Sequence, residues 1–573
     1  MGYIKGIDRD QQVLFPKAID DYVSESNPVR VIEAFTGMLD FKELGFERGE
    51  AAATGRPGYD PRLMMGLYIW GHLNQVRSSR KLEKECGRNL EVIWLMEDLR
   101  PDFKTIADFR KDNGKSIRQV MVKFRLWCMG EGLYGREIAS IDGSKFEAVN
   151  SRDRNYNEDK LNRIIEHERE RVEKYLKEIE ETDQEEKDDP EKSVEELEKA
   201  LATMKERVAR NEELLRQLKE SGESQLSLTD KESRLMKTNN GGHEVSFNVQ
   251  MVVDAENKLI AEYEVTNEGN DRGQLANMAK KGKEALQVDK LKVLADRGYY
   301  DGNTIKECEE AGITPYLPTP ASSAEAKGVY AADRFSYDEK RDLYTCPEGK
   351  ELTFRTKEKM RKKEYKIYRT DGCLTCPLRA QCTKSKSGRK IRRWVDQAVV
   401  DRLKKRMQEH PDSMKKRKGM AEHPFGTIKR AMNQGYFLMK GIKKVTIEMS
   451  LTVLAYNIKR VISVLGVEEI VKSMRGTASS KDLTLFSRLI RSLRTILISI
   501  YEIAHRKAQY SILPLLKEDF YRHAGFHTVS TADGTDKSRL KAGLKTLTLF
   551  LCGQIRIKTA IFCKQQTEMI KDK

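Results

Sequence analysis

LKVLADRGYYDG, residues 291–302, ends an apolar run on a carboxylate. Leu291, Val293, Leu294 and Ala295 read as a buried strand, Asp296 follows at once, and Arg297–Gly298–Tyr299–Tyr300 turns away through glycine. An acid in that position either caps the turn that follows or is a ligand for something positively charged. The choice depends on whether other acids reach the same edge.

Upstream, REIASIDGSKFEA (136–148) alternates Ile138, Ser140, Asp142, Ser144 and Phe146 on one face with Ala139 and Ile141 on the other, a strand with Asp142 at its middle. HEVSFNVQMVVDAENKLIAEYEVTNEG (243–269) reads as a β-hairpin turning at Ala255–Lys258. A helix capped by Asn270 or Asp271 comes next, then the strand that ends at Asp296, a helix near Asn303–Ala311 and the strand ITPYLP. The order β-β-β-α-β-α-β is that of a ribonuclease-H-like α/β fold, a mixed sheet flanked by helices. Into it is inserted a helical hairpin over 155–220, whose second arm carries Val194, Leu197, Leu201, Met204, Val208, Leu215 and Leu218 as a heptad seam. Pro190 starts that arm, and its acid-rich surface argues against contact with nucleic acid.

Residues 1–130 read as an all-α domain of short helices broken at Gly87 and Pro101. Arg77, Arg80, Lys81, Lys84 and Arg88 would suit a helix-turn-helix reader of DNA, or simply a solvated bundle surface.

The chain carries a net charge of +16. Glu351 to Lys440 holds 26 Lys or Arg against 9 Asp or Glu, a local net of +17, so the rest of its 573 residues is close to neutral. A one-signed block implies a polyanionic partner, nucleic acid before an anionic membrane. Within a small insertion over 325–400 lie Cys346, Cys373, Cys376 and Cys382; Cys-x2-Cys with two further thiols suits structural Zn²⁺, the alternative being four free thiols. Arg392 and Arg393 follow directly and could grip a DNA backbone.

A mixed sheet brings distant acids to one edge, and transfer of a phosphoryl group there needs oxygen ligands for two Mg²⁺ or Mn²⁺ ions, about 3.5–4 Å apart. Asp142 and Asp296 form the natural pair. Glu422, with Lys429 seven residues on and on the same helical face, is the third acid expected; Glu448, in apolar surroundings, is the runner-up.

Five stretches in order, IDGSKFEA, FNVQMVVD, ADRGYYDG, EHPFGTIKR and LAYNIKR, resemble a DDE transposase of a bacterial insertion sequence with a D-R-G-Y second-acid motif. The resemblance covers about residues 10–470 and implies a catalytic domain over 131–470 with Asp142, Asp296 and Glu422 as the catalytic, metal-holding triad. It implies DNA as partner, both element ends and target, and a homodimer, because two ends must be brought together. The related pattern Y-x2-R-x3-E-x6-K keeps Glu422 and Lys429 but has Lys415 and Lys418 at the Tyr and Arg positions, with Arg417 one residue off. Pro424 places Glu422 near a helix start. Lys429, Arg417, Lys418, Arg392, Arg393, Arg80 and Lys84 are the candidate DNA contacts. A nuclease without strand transfer and an inactive DNA-binding remnant are the rivals.

Beyond about Met474 the likeness stops, and 471–573 reads as a tail with one basic amphipathic helix. No run of about 18 apolar residues occurs, so no membrane span is expected. Met1–Gly6 has no signal-peptide core, which makes a cytoplasmic location the expectation.

Overall fold

β1 (Ile138–Glu147) sets the register of the main sheet. The structure, a computed structural model, describes residues 17–47, 58–184, 190–238, 241–320, 328–360 and 363–476, with side chains at 178–179, 181–184 and 190–197 excepted. Contacts divide the chain into Met1–Thr484 and Leu485–Lys573, and every described residue belongs to the first unit. The tail beyond Gly476, its amphipathic helix included, and the first sixteen residues lie outside the described residues.

Among the described residues six α-helices precede β1: α1 (Val29–Gly37), α2 (Pro61–Leu73), α3 (Ser79–Glu85), α4 (Leu90–Leu95), α5 (Phe103–Asp112) and α6 (Gly114–Gly130). α2 begins as the sequence expects, with Pro61 in its first turn and the Asp60 carboxylate accepting from the Arg62 amide at 2.7 Å.

After β1, a two-residue strand β2 (Asn155–Tyr156) leads into the hairpin of α7 (Glu158–Gln184) and α8 (Pro190–Ser221). Of the expected seam Leu201, Met204 and Leu218 are buried and Val208 and Leu215 half-buried, and Leu214 is buried in place of the expected Leu215, so this face is spent on pairing the two arms. β3 (Leu226–Ser227) pairs with β2 and closes the base of the hairpin. β4 (Arg234–Lys237), β5 (His243–Asp254) and β6 (Ile260–Thr266) then return the chain to the main sheet. α9 (Gln274–Ala285), β7 (Leu291–Leu294), α10 (Gly302–Glu310) and β8 (Ile313–Tyr316) complete it.

The sheet order is β4-β5-β1-β7-β8, with β6 also on β5. β1 runs antiparallel to β5 and parallel to β7, and β7 runs parallel to β8. Cross-strand partners share a face. Asp142 and Met251 therefore lie on one side of the sheet, Gly143 and Gln250 on the other.

The segment expected as a small Cys-rich insertion is a second sheet, five antiparallel strands: β9 (Ser336–Asp338), β10 (Leu343–Thr345), β11 (Glu351–Met360), β12 (Lys363–Arg369) and β13 (Ile391–Trp394). It has a core of its own in Phe335, Tyr344, Leu352, Tyr368 and Ile391, and a one-turn helix α11 (Arg379–Cys382) between its last strands. α12 (Gln397–Glu409), α13 (Ser413–Gly426), α14 (Ile442–Leu465) and α15 (Val467–Arg475) follow.

α14 is the hub. It packs on α2, α6 and β6, while α15 packs on α1, so the N-terminal helices share one hydrophobic core with the sheet. Asn457, buried on α14, accepts from the Ile260 amide and donates to the Ile260 carbonyl, both at 2.9 Å. An amide side chain thereby acts as a strand neighbour for the edge of β6, beside the Tyr134 hydroxyl, which also donates to the Ile260 carbonyl at 3.0 Å. Among the described residues no single helix is long and apolar enough to cross a membrane.

Candidate active site at the edge of the mixed sheet

In the parallel register Ser140 lies beside Leu294, so two residues on, Asp142 comes alongside Asp296 on the same face. Asp142 is half-buried, and its carboxyl is pushed up to about 6: burial first, opposed by Arg417, then reinforced by the charge of Asp296. Asp296 takes the first of its two expected roles and also lies close to Asp142. One oxygen accepts from the Gly298 amide at 2.7 Å, capping the tight turn Arg297–Tyr299, and the side chain still stands near enough to Asp142 to raise its pKa.

α13 lies across β1 and β7. It delivers Arg417, whose Nη2 is 3.8 Å from Asp142 Oδ2. Glu422 is on the same helix but exposed. Ala421 is turned fully into the core, and one residue further is about 100° round the helix, so Glu422 faces solvent. Among the described residues no three His, Cys, Asp or Glu side chains are close enough together to hold a metal ion. Asp142 and Asp296 are thus brought together, and Glu422 does not join them.

Pro424 lies in the last turn of α13, not near its start as expected. Its missing N–H leaves the helix to relax into a π turn over Thr427–Ala431. That turn aims Lys429 at β1, where Nζ donates to the Lys145 carbonyl at 2.6 Å above the Phe146 ring. Burial lowers the Lys429 pKa; the residue expected to meet phosphate braces α13 against the strand of Asp142.

Other expected DNA contacts divide into engaged and open. Arg393 is stacked 3.7 Å from the Tyr337 ring centre and paired with Asp401 at 2.9 Å, tying the second sheet to α12. Arg392 leans on Glu358 at 3.4 Å. Arg80 is exposed over the Phe103 ring; Lys84 and Lys418 are exposed. Arg77 is buried against Glu448 at 3.1 Å. Glu448 also accepts from the Leu438 and Met439 amides, which removes the runner-up acid from the site.

The four cysteines expected to hold Zn²⁺ line one cavity with Phe335, Leu352 and Arg389, but no three of them are close enough together to hold a metal ion. The Lys350 amide donates to Cys346 Sγ at 3.3 Å. Burial raises the Cys382 thiol, Arg389 opposes, and the other three cysteines add to the rise.

Sequence reading missed Asp271. It does not cap α9, whose N-cap is Gly273; its Oδ1 accepts from Asn248 Nδ2 at 2.8 Å and Gln250 Nε2 at 2.6 Å, with Lys145 Nζ 3.7 Å away. A signal was available: Glu244, Ser246, Asn248 and Gln250 place polar side chains at every second position of a strand whose other face is apolar.

Residues 17–112 match a family model described as transposase domain (DUF772), and residues 345–462 match one described as transposase DDE domain. The second match includes Arg417, Glu422, Lys429 and the four cysteines, and lies C-terminal to Asp142 and Asp296. Together the matches support a DDE transposase of an insertion sequence. Among solved structures, the piggyBac transposase synaptic complex with hairpin DNA (cryo-EM) is similar at 9% identity over 90% of this chain and 89% of that one. Its TM-score of 0.28 is too low to carry an argument. No curated protein matches the chain.

Proposed function

We propose that this chain is a transposase that cleaves and joins DNA strands by metal-dependent phosphoryl transfer at the edge formed by Asp142 and Asp296. The observation that carries the reading is that Asp142 and Asp296 come together at the ends of neighbouring parallel strands, with the Arg417 guanidinium beside Asp142. The strand order β6-β5-β1-β7-β8, antiparallel then parallel, supports a ribonuclease-H-like core.

Two under-neutralised carboxylates fit hard divalent cations, which are commonly bound through one or two carboxylates with waters and substrate phosphate completing the shell. Asp142 and Asp296 would hold Mg²⁺ or Mn²⁺ there, whereas Glu422, the third ligand that the resemblance implies, faces solvent away from them. Bound, the ions supply Lewis-acid stabilisation of the transferring phosphoryl group. Asp142 has to give up its proton to serve, and Arg417 eases that loss. Exposed Lys418, Lys84 and Arg80 supply positive charge along the approach of a DNA backbone. In cleavage a water oxygen attacks phosphorus, the bond to the 3′ oxygen breaks and a 3′-hydroxyl is freed. In joining, that hydroxyl attacks a target phosphorus, and the bond from that phosphorus to the target strand's 3′ oxygen breaks, leaving a new 3′-hydroxyl on the target. A homodimer acting in the cytoplasm on the terminal repeats of its element suits a reaction that needs two ends together, and Zn²⁺ would staple the second sheet through Cys346, Cys373, Cys376 and Cys382.

Asp142→Ala and Asp296→Ala should each abolish Mg²⁺-dependent cleavage of a duplex bearing the element ends while DNA binding persists. Retained cleavage in both would overturn the assignment. The outward-facing Glu422 favours a second reading, an inactive DNA-binding remnant; wild-type cleavage excludes it. Joined products from pre-cut ends exclude a simple nuclease.

A further inference from the structure

Behind β1, on the face away from Asp142, lies a polar cluster that the proposed chemistry does not use. Tyr299, fully buried, donates its hydroxyl to Gln250 Oε1. Gln250, also fully buried, donates through Nε2 to Asp271 at 2.6 Å. Asp271 takes a second amide from Asn248 and pairs with Lys145. The cluster presses directly on the strand: a Cβ at Gly143 would lie 2.3 Å from Gln250 Nε2 and 2.8 Å from Asp271 Oδ1. Asp142 is followed by glycine because this cluster occupies the space a side chain would need.

The positions of Tyr299 and Gln250 in this chain of hydrogen bonds are informative. Tyr299 stands three residues after Asp296, at the close of the turn that Asp296 caps. Gln250 is the cross-strand partner of Gly143, the residue after Asp142. Each acid is therefore tied through the backbone to one partner of the buried Tyr299–Gln250 hydrogen bond, and Asp271 holds Gln250 from its other side. Buried, mutually satisfied hydrogen bonds resist displacement because breaking one strands a desolvated polar group. We infer that Tyr299, Gln250 and Asp271 are positioning residues, a brace that fixes the separation of Asp142 and Asp296. The inference rests on the reading above that those two acids hold divalent cations. Partners behind metal ligands commonly set ligand geometry, and their loss weakens metal binding without touching the ligand.

The test uses the full chain and Mn²⁺ as probe, with binding measured by titration calorimetry on protein verified as folded by circular dichroism, beside the Mg²⁺ dependence of cleavage. Tyr299→Phe removes one hydroxyl and should weaken Mn²⁺ binding roughly tenfold. Asp271→Leu, at a partly exposed position, should do the same. Asp271→Asn keeps an oxygen for both amides and should lose no more than about threefold, the scale of one weakened hydrogen bond. Wild-type Mn²⁺ affinity in folded Tyr299→Phe and Asp271→Leu would overturn the brace while leaving the acids as ligands. Equal loss in Asp271→Asn and Asp271→Leu would assign Asp271 a purely electrostatic role and also overturn it. If wild type binds Mn²⁺ no better than Asp142→Ala, the reading of the acids fails and the brace fails with it.

Discussion

Arg417 Nη2 stands 3.8 Å from Asp142 Oδ2, and the two side chains are 14% and 18% exposed. The guanidinium is one residue from the position at which the related pattern places arginine, yet α13 turns it to the acid that needs it. Its role before any divalent ion arrives is to offset the burial and the Asp296 charge that hold Asp142 near pKa 6.

Removing it should leave a buried carboxylate with less compensation. Without divalent ions at pH 7, Arg417→Ala is expected to lower stability by about 1–3 kcal/mol in urea denaturation. In an Asp142→Asn background the same change should cost much less, because no charge remains to be balanced. Additive losses would show that the pair is not coupled.

Arg77 and Glu448 join the N-terminal helices to α14 at 5% and 1% exposure. Arg77 also donates to the Tyr436 carbonyl at 2.8 Å and lies over its ring. Breaking one half of such a buried pair leaves an uncompensated charge, so Arg77→Met should destabilise the chain by about 3–5 kcal/mol. Arg77→Met with Glu448→Gln should recover part of that in the same denaturation measurement. A single variant as stable as wild type would mean that the pair bears no strain between the two parts of the core.

Much of the sheet was legible because β1, β5 and β6 alternate cleanly and their turn is polar. The pairing of Asp142 with Asp296 was legible for the same reason: both sit at strand positions whose face and end are set by period two. Glu422 was not, because helix phase is fixed by burial of Met420, Ala421, Pro424 and Phe425 against strands far away in sequence. Pro424 pointed to a helix start, whereas tertiary packing carries α13 through it. The second sheet was hidden in lysine- and arginine-rich strands such as β11, most of whose residues are exposed and carry no apolar alternation. Asp271 looked like a cap because its true partners lie 21 and 23 residues back, on β5.

The cavity lined by Cys346, Cys373, Cys376 and Cys382 has one amide aimed at a sulfur, but no three of its thiols stand close enough together to hold a metal, so Zn²⁺ would have to draw them in. Protein purified under reducing conditions is expected to contain about one zinc per chain by elemental analysis, the count for one four-thiolate site. Cys376→Ser should reduce it, and chelation should expose the four thiols to a thiol reagent. Zinc-free protein with these thiols reactive from the outset would leave them as free cysteines.

His72 predicts how the fold responds to acid. It is wholly buried on α2; Nδ1 lies 2.9 Å from the Tyr68 carbonyl and Nε2 has no partner. Burial drives its pKa down from 6.5 to about 3, with Arg77 and Arg110 adding to the fall. The folded chain therefore binds fewer protons here than the unfolded chain between those two values. The stability this neutral ring contributes is complete above pH 6.5 and is lost as pH falls toward 3, at up to about 1.4 kcal/mol per unit. His72→Asn keeps a donor for the Tyr68 carbonyl and cannot titrate. Its baseline stability should be lower, since a smaller side chain leaves a cavity, but its loss between pH 6.5 and 4.5 should be shallower than that of wild type by most of that slope. Parallel stability–pH curves for the two proteins, followed by urea denaturation at fixed ionic strength, would show that His72 does not set the acid response.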